Sequence, residues 1–178
     1  KTPLPNFSRP RSSGLIALNL DEGDTLIGAA ITKGDAEVML FSTAGKAVRF
    51  NEEAVRPMSR TARGVRGIKM PEGHHVVSLI IPQEGGVILT ASENGYGKRT
   101  AIDEFPTYSR GSQGVIAMQC SERNGNLVTA LQLFEGDEMM LISDKGTLVR
   151  TRTDEVSVLS RNTQGVRLIK LSQEDERL

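Results

Sequence analysis

Arginine recurs at a regular spacing along this chain, and its side chain is suited to binding phosphate. The pattern Ser-Arg-x-x-x-Gly-Val occurs three times, at intervals of 50 and 51 residues, and its arginine is Arg60, Arg110 or Arg161. A guanidinium group binds phosphate oxygens through parallel hydrogen bonds, and neutralising phosphates gives affinity without base specificity. We therefore predict that these arginines contact a ligand of repeating negative charge. The alternative is that they join adjacent repeats through carboxylates or exposed carbonyls.

A second series of arginines keeps the same spacing. Arg49, Arg99 and Arg150 each lie four residues after a recurring glycine. We predict phosphate contacts for them as well, the alternative being an ordinary solvated strand face. Further basic candidates lie next to one of the two patterns: Arg63, Arg66, Lys98, Arg152 and Arg167.

The elements that must position these side chains are short strands. A sequence period of about 50 residues is typical of repeat architectures such as propellers. Within one period, residues 25–31, 37–42, 46–50 and 65–70 are rich in aliphatic and β-branched residues and are separated by turn signals. Residues 15–20, 115–120 and 166–171 correspond to the fourth of these strands. The fold is therefore predicted to be all-β, a propeller-like array of four-stranded antiparallel blades with about 50 residues per repeat.

The repeats divide the chain into one β-domain fragment with five parts. These are the end of a preceding blade repeat at 1–20, full blade repeats at 21–70, 71–120 and 121–171, and an acidic tail at 172–178.

Composition excludes several classes of function. The formal net charge is zero, with 22 basic and 22 acidic residues, so only a segregated distribution of charge would attract nucleic acid. Aromatic residues make up 4% and Trp is absent, which argues against stacking on bases as a main activity. The single cysteine, Cys120, excludes an internal disulfide and fits a reducing compartment. No apolar run is long enough to span a bilayer, so no membrane contact is expected.

The sequence shows no catalytic, metal or cofactor motif. The two histidines, His74 and His75, are adjacent, and neighbouring side chains of a strand point to opposite faces, which disfavours a shared metal ion. No nucleophile-elbow motif occurs, and Gly95-Tyr96-Gly97 lacks the lysine spacing of a phosphate-binding loop. We predict no catalytic site, no metal and no cofactor in this chain.

Several segments resemble one known family. Val38–Phe50, Asn94–Thr100, Gly146–Arg152 and Ser160–Val166 are similar to the C-terminal domain of the A subunit of bacterial DNA gyrase, and the similarity extends from Lys1 to about Leu171. The resemblance implies a β-pinwheel, a propeller-like disc whose blades exchange a strand with their neighbours. The family's basic box, Gln-Arg-Arg-Gly-Gly-Lys-Gly, belongs to its first blade and does not occur here. The chain therefore resembles the C-terminal part of that domain.

The resemblance also implies a function and partners. Double-stranded DNA would wrap around the basic rim and so support ATP-dependent negative supercoiling by a type II topoisomerase. The remainder of the gyrase A subunit and the gyrase B subunit would complete a heterotetramer, and ATP and Mg²⁺ would be used by those other parts. The expected location is the bacterial cytoplasm, in association with the chromosome. Two alternatives stay open: the corresponding domain of the A subunit of topoisomerase IV, directing substrate choice, and a propeller-like scaffold for protein interactions.

Overall fold

Short antiparallel strands make up the regular structure of the chain, as the sequence predicts. The computed structural model describes residues 1–178. Its strands are β1 (Glu37–Ser42), β2 (Lys46–Asn51), β3 (Val76–Ile80), β4 (Val87–Ser92), β5 (Tyr96–Ala101), β6 (Val115–Ile116), β7 (Leu127–Leu133), β8 (Glu138–Ile142), β9 (Leu148–Arg152) and β10 (Val166–Arg167). Short 3₁₀ segments lie at Leu4–Phe7, Glu52–Ala54, Ile102–Glu104 and Thr153–Glu155. No helix is long and apolar enough to cross a membrane.

Three hairpins form the repeating units of the fold. The strand pairs β1–β2, β4–β5 and β8–β9 are antiparallel and keep equivalent registers, with Leu40 opposite Val48 and Leu141 opposite Val149. Each hairpin turns at a glycine with positive φ, for example 73° at Gly45, a conformation that glycine adopts without steric cost. The predicted hairpin strands at 37–42 and 46–50 are thus confirmed to within one residue.

Each complete blade takes strands from two consecutive repeats. The first sheet has the order β3-β1-β2-β6 and the second the order β10-β5-β4-β7. In both sheets the hairpin comes from one repeat, and the two flanking strands come from the repeat that follows it. The exchange implied by the resemblance is therefore present, and it involves both flanking strands. The third hairpin, β8–β9, forms a two-stranded sheet.

Three predicted strands do not form. Residues 15–20, 25–31 and 65–70 have no strand assignment, and in the later repeats the fourth strand shortens to β6 and β10. These segments correspond to strands that add to the hairpin of a preceding repeat, and residues 1–14 contain no such hairpin. A strand depends on backbone hydrogen bonds to a neighbour, so the segments do not form a sheet. Ile31, for example, is 80% exposed.

Two apolar clusters hold consecutive blades together. The larger one joins the first and second blades and contains Met39, Phe41, Ile88 and Leu127. Phe105 completes it with an edge-on contact to Phe41, at 5.9 Å between ring centroids. A second cluster, including Leu89, Met139, Leu141 and Val156, packs the third hairpin against the second blade. Burial of each large apolar side chain stabilises such an interface by about 1.5–3 kcal/mol.

Candidate nucleic-acid interface

The arginines of the Ser-Arg-x-x-x-Gly-Val pattern bind carbonyls of the preceding repeat. Arg110 donates from Nη1 to the Arg66 carbonyl at 2.5 Å and from Nε to the Ala54 carbonyl at 3.1 Å. One repeat later, Arg161 makes the same two contacts, with the carbonyls of Ile116 at 2.5 Å and Glu104 at 3.1 Å. Arg60 makes one of them, to the Ile16 carbonyl at 2.7 Å. The structure thus gives these arginines the joining role that the sequence left open, while their contact with phosphate stays a prediction.

Two of the hairpin arginines, Arg49 and Arg99, also connect repeats. Arg49 donates to the carbonyls of Ile102 at 3.1 Å and Phe105 at 3.0 Å, and it forms an ion pair with Glu37. That arginine holds the pKa of Glu37 below its usual value. Only 18% of the Arg49 side chain is exposed, so a small part of it faces solvent.

The two later hairpin arginines differ in their contacts. Arg99 donates from Nε to the Val156 carbonyl at 2.7 Å. Arg150 pairs with Glu138, and its side chain is 69% exposed. Arg150 is therefore the most exposed arginine of this series, and its guanidinium already has a carboxylate partner.

Lys98 lies in the interior, where DNA does not reach. It is fully buried, and its ammonium donates to the carbonyls of Ser160 at 2.7 Å and Thr163 at 3.1 Å, to the Thr163 hydroxyl at 3.0 Å, and to the Arg161 carbonyl. Burial lowers the pKa of Lys98 to about 8. The sequence suggested that Lys98 lies on the surface as a phosphate contact, and the structure corrects that position. The Lys98 side chain lies on the inner face of β5 and holds the loop at 160–163 through these hydrogen bonds.

The next two predicted candidates lie on the surface and form ion pairs. Arg63 pairs with Asp21 at 2.8 Å and Arg152 with Asp154 at 2.9 Å, and all four side chains are exposed. Ion pairs of this kind contribute about 0–1 kcal/mol, so a phosphate can compete for the arginine.

The last two predicted candidates are Arg66 and Arg167, and neither forms an ion pair with a carboxylate of the chain. Both are exposed. They occupy equivalent positions, one residue after the valine of the repeated pattern. Their guanidinium groups keep donors free, which is what a phosphate contact requires.

Other exposed cations without an ion pair were not selected as site candidates from the sequence, among them Arg56, Lys69, Arg123 and Lys170. A signal was present for two of them, because Lys69 and Lys170 both lie three residues after the arginines just described. The middle repeat has Ile116 and Gln119 at these two positions, so the basic pair occurs in alternate repeats. Arg123 has no repeat equivalent, and only its surroundings reveal it.

The unpaired cations line clefts beside the hairpin turns. Lys46 and Lys69 lie in a cleft of about 350 Å³ next to Ala44 of the β1–β2 turn. Arg123, Arg167 and Lys170 lie in a cleft of about 540 Å³ next to Asn94 of the β4–β5 turn. No carboxylate lines the first of these clefts, whereas Glu122, Glu174 and Glu176 lie beside the cations of the second. A concave surface lined by cations alone concentrates their field, even in a protein of zero net charge.

The fold is a propeller-like repeat domain, because its blades exchange strands between repeats. The unpaired cations beside the hairpin turns form a candidate surface for binding a polyanion. Comparison with known families identifies the kind of domain. The model described as "DNA gyrase C-terminal domain, beta-propeller" matches residues 2–33, 36–83, 86–133 and 137–178. The chain belongs to this family.

Similar proteins agree with that assignment. The A subunit of DNA gyrase from Pseudomonas aeruginosa is 64% identical over 175 residues, covering 98% of this chain and 19% of that protein. The A subunit from Escherichia coli K12 is 53% identical over 175 residues, covering 98% of this chain and 20% of that protein. The chain thus spans about a fifth of the length of these relatives.

Solved structures show the same fold. A DNA gyrase A C-terminal domain superposes with a TM-score of 0.82 at 30% identity, covering 93% of this chain and 56% of that one. The C-terminal domain of DNA topoisomerase IV superposes with a TM-score of 0.90 at 22% identity, covering 99% of this chain and 55% of that one. A sequence identity of 22% shows a shared fold alone. This superposition therefore does not support the alternative that the chain functions as the topoisomerase IV domain.

Proposed function

We propose that this chain binds and wraps double-stranded DNA as part of the gyrase A subunit, and so supports ATP-dependent negative supercoiling by the type II topoisomerase. Membership of the gyrase C-terminal domain family carries this proposal. The remainder of the A subunit and the gyrase B subunit are the proposed partners, in the bacterial cytoplasm. ATP and Mg²⁺ belong to those other parts of the holoenzyme.

The distribution of charge supports the proposal. The exposed cations without a carboxylate partner include Arg56, Arg66, Lys69, Arg123, Arg167 and Lys170. They lie on different repeats, as contacts to a long DNA segment require. Bending 20–30 base pairs costs on the order of 1–6 kcal/mol, and several phosphate contacts offset that cost.

A salt titration of DNA affinity tests the proposal. If about six phosphates are neutralised, the logarithm of the binding constant should fall with the logarithm of salt concentration at a slope of roughly −5. Wrapping should change the linking number of a nicked plasmid that is sealed by ligase while the protein is bound.

A matched pair of variants assigns the contacts. Replacing Arg66 and Lys69 by alanine should make the slope shallower by about 2, because two phosphate contacts are lost. The control replaces Arg150 and Arg152, whose guanidinium groups pair with carboxylates, and should have a smaller effect. Absence of any DNA shift at low salt, together with capture of a protein partner, would favour the scaffold function instead.

A further inference from the structure

The cleft beside the β4–β5 turn brings several cations together around a buried aromatic ring. It encloses about 540 Å³, and four cations line it: Arg123, Arg167, Lys170 and Arg177. Three carboxylates also line it, namely Glu122, Glu174 and Glu176. Glu176 is fully buried and accepts hydrogen bonds from the hydroxyl of Ser143 and the backbone of Ser172, so its charge is already compensated within the fold.

Two guanidinium groups in this cleft are held in place by one aromatic ring. The carbon at the centre of the Arg123 guanidinium lies 4.6 Å from the centroid of the Tyr96 ring, and that of Arg167 lies 5.5 Å from it. Arg167 also donates from Nη2 to the Tyr96 hydroxyl at 3.0 Å. Tyr96 itself is only 7% exposed, and it is the first residue of β5, directly after the turn glycine.

This arrangement fixes the arginines and leaves donors free. The hydrogen bond from Arg167, and after it the nearby Arg123 guanidinium, lower the pKa of the Tyr96 hydroxyl. Arg123 has one further contact, 3.4 Å from Nη1 to the Gln164 side-chain oxygen, and neither arginine forms an ion pair. A guanidinium that is already oriented loses less side-chain entropy when it binds a phosphate than a free surface arginine does.

The equivalent cleft of the first blade lacks these features. Its volume is about 340 Å³, and Lys46 takes the place of Tyr96. Ile116 and Gln119 replace Arg167 and Lys170 there. The two clefts can therefore be compared directly. The cleft of the first blade contains one cation, Lys46, and the equivalent cleft of the second blade contains four.

We propose that the cleft of Tyr96, Arg123 and Arg167 is a phosphate-binding site that anchors the DNA backbone at the second blade. This inference rests on the proposed function. Arg167 and Arg123 would each donate to phosphate oxygens, and Lys170 would add its charge at the edge of the cleft. The DNA is thus held more firmly at this blade than at the first one.

Variants of the two arginines test the site. Replacing Arg123 and Arg167 together by alanine should make the salt slope of DNA affinity shallower by about 2. Arg150→Ala, which removes an exposed arginine paired with Glu138, should change the slope less. Arg167→Lys keeps the charge but loses the paired donors, so it should weaken binding with little change in slope. An unchanged slope in a folded Arg123→Ala, Arg167→Ala variant would overturn the proposal.

A second measurement separates this site from DNA binding as a whole. Titration with inorganic phosphate, followed by the NMR signals of the Tyr96 ring, should shift those signals in the wild type and not in the double variant. If the wild type does not bind DNA, the proposed function fails, and the Tyr96 titration still decides whether the cleft binds phosphate. If phosphate binds in the cleft but DNA affinity is unchanged when both arginines are replaced, the proposal that this site binds the DNA backbone is refuted.

Discussion

Two copies of the Ser-Arg-x-x-x-Gly-Val pattern, at residues 59–65 and 160–166, have different surroundings. Arg161 and Gly165 lie where a fourth strand adds to a complete hairpin, and both contact that hairpin's repeat. Arg60 and Gly64 have the same positions in the pattern, but residues 1–36 form no hairpin for them to contact. The difference shows that the pattern acts between repeats, since a copy packs closely where a hairpin of the preceding repeat lies against it.

Alanine at the pattern glycine should separate the two regions most strongly. Gly165 has φ of 77°, and a Cβ atom there would lie 2.6 Å from the Gly97 carbonyl oxygen. Gly64 has φ of 94° but no atom within 4 Å of such a Cβ. We expect Gly165→Ala to lower the free energy of unfolding by about 3 kcal/mol or more, since the backbone of β5 must shift. Gly64→Ala should cost about 1–2 kcal/mol from its left-handed conformation alone.

Urea denaturation monitored by circular dichroism measures both changes. Equal losses for the two alanine variants would contradict the view that the fourth strand packs closely only on a complete hairpin.

The pattern arginines should show a smaller contrast of the same kind. Arg161→Ala removes hydrogen bonds to two carbonyls of the second repeat, those of Glu104 and Ile116, and should cost about 1.5–3 kcal/mol. Arg60→Ala removes one exposed contact and should stay within about 0.5 kcal/mol. Thermal unfolding of each variant provides the comparison. A larger effect at Arg60 would mean that the first residues of the chain are held more firmly than their exposure indicates.

Acid should weaken the C-terminal tail through one carboxylate. Hydrogen bonds to its carboxylate, above all the one from the Ser143 hydroxyl, lower the pKa of Glu176 to about 2. Because the pKa in the folded state lies below the unfolded value near 4.5, the contribution of Glu176 to stability is complete above about pH 4.5. It is then lost as the pH falls toward 2.

Glu176→Gln tests this pH dependence. The variant should be less stable than the wild type at pH 6, and the difference should shrink progressively between about pH 4.5 and 2 in thermal unfolding. Glu174→Gln, at an exposed position two residues earlier, is the matched control and should follow the wild-type profile. A constant difference between Glu176→Gln and the wild type across this range would show that the carboxylate charge does not anchor the tail.

Hairpins were predictable because their signals are local. The strands at 37–42 and 46–51 follow from aliphatic and β-branched residues around a turn glycine, and these are properties of neighbours in sequence. The segment at 25–31 has equally suitable residues and forms no strand, because its neighbour would come from another repeat. Local propensity predicts that a segment is able to form a strand, whereas pairing decides whether it does.

The candidate site was only partly predictable for the same reason. The spacing of arginines identified basic positions, including Arg66 and Arg167. It did not show which guanidinium groups are already hydrogen-bonded to carbonyls within the fold. Lys98 follows a turn just as an exposed lysine would, yet it is buried against carbonyls some 60 residues away. Arg123 has no repeat equivalent, and it became a candidate only through its contact with Tyr96.

The sequence by itself determined the all-β class, the period of the repeats, the three hairpins and the family. It did so because turns, side-chain alternation and the repeated pattern depend on residues close together in the chain. Only the tertiary structure decided which repeat supplies each flanking strand, which arginines bind carbonyls, and which cations remain free for a phosphate. Those outcomes depend on contacts between residues about 40 to 70 positions apart, and these contacts give different roles to residues at equivalent positions of the repeat.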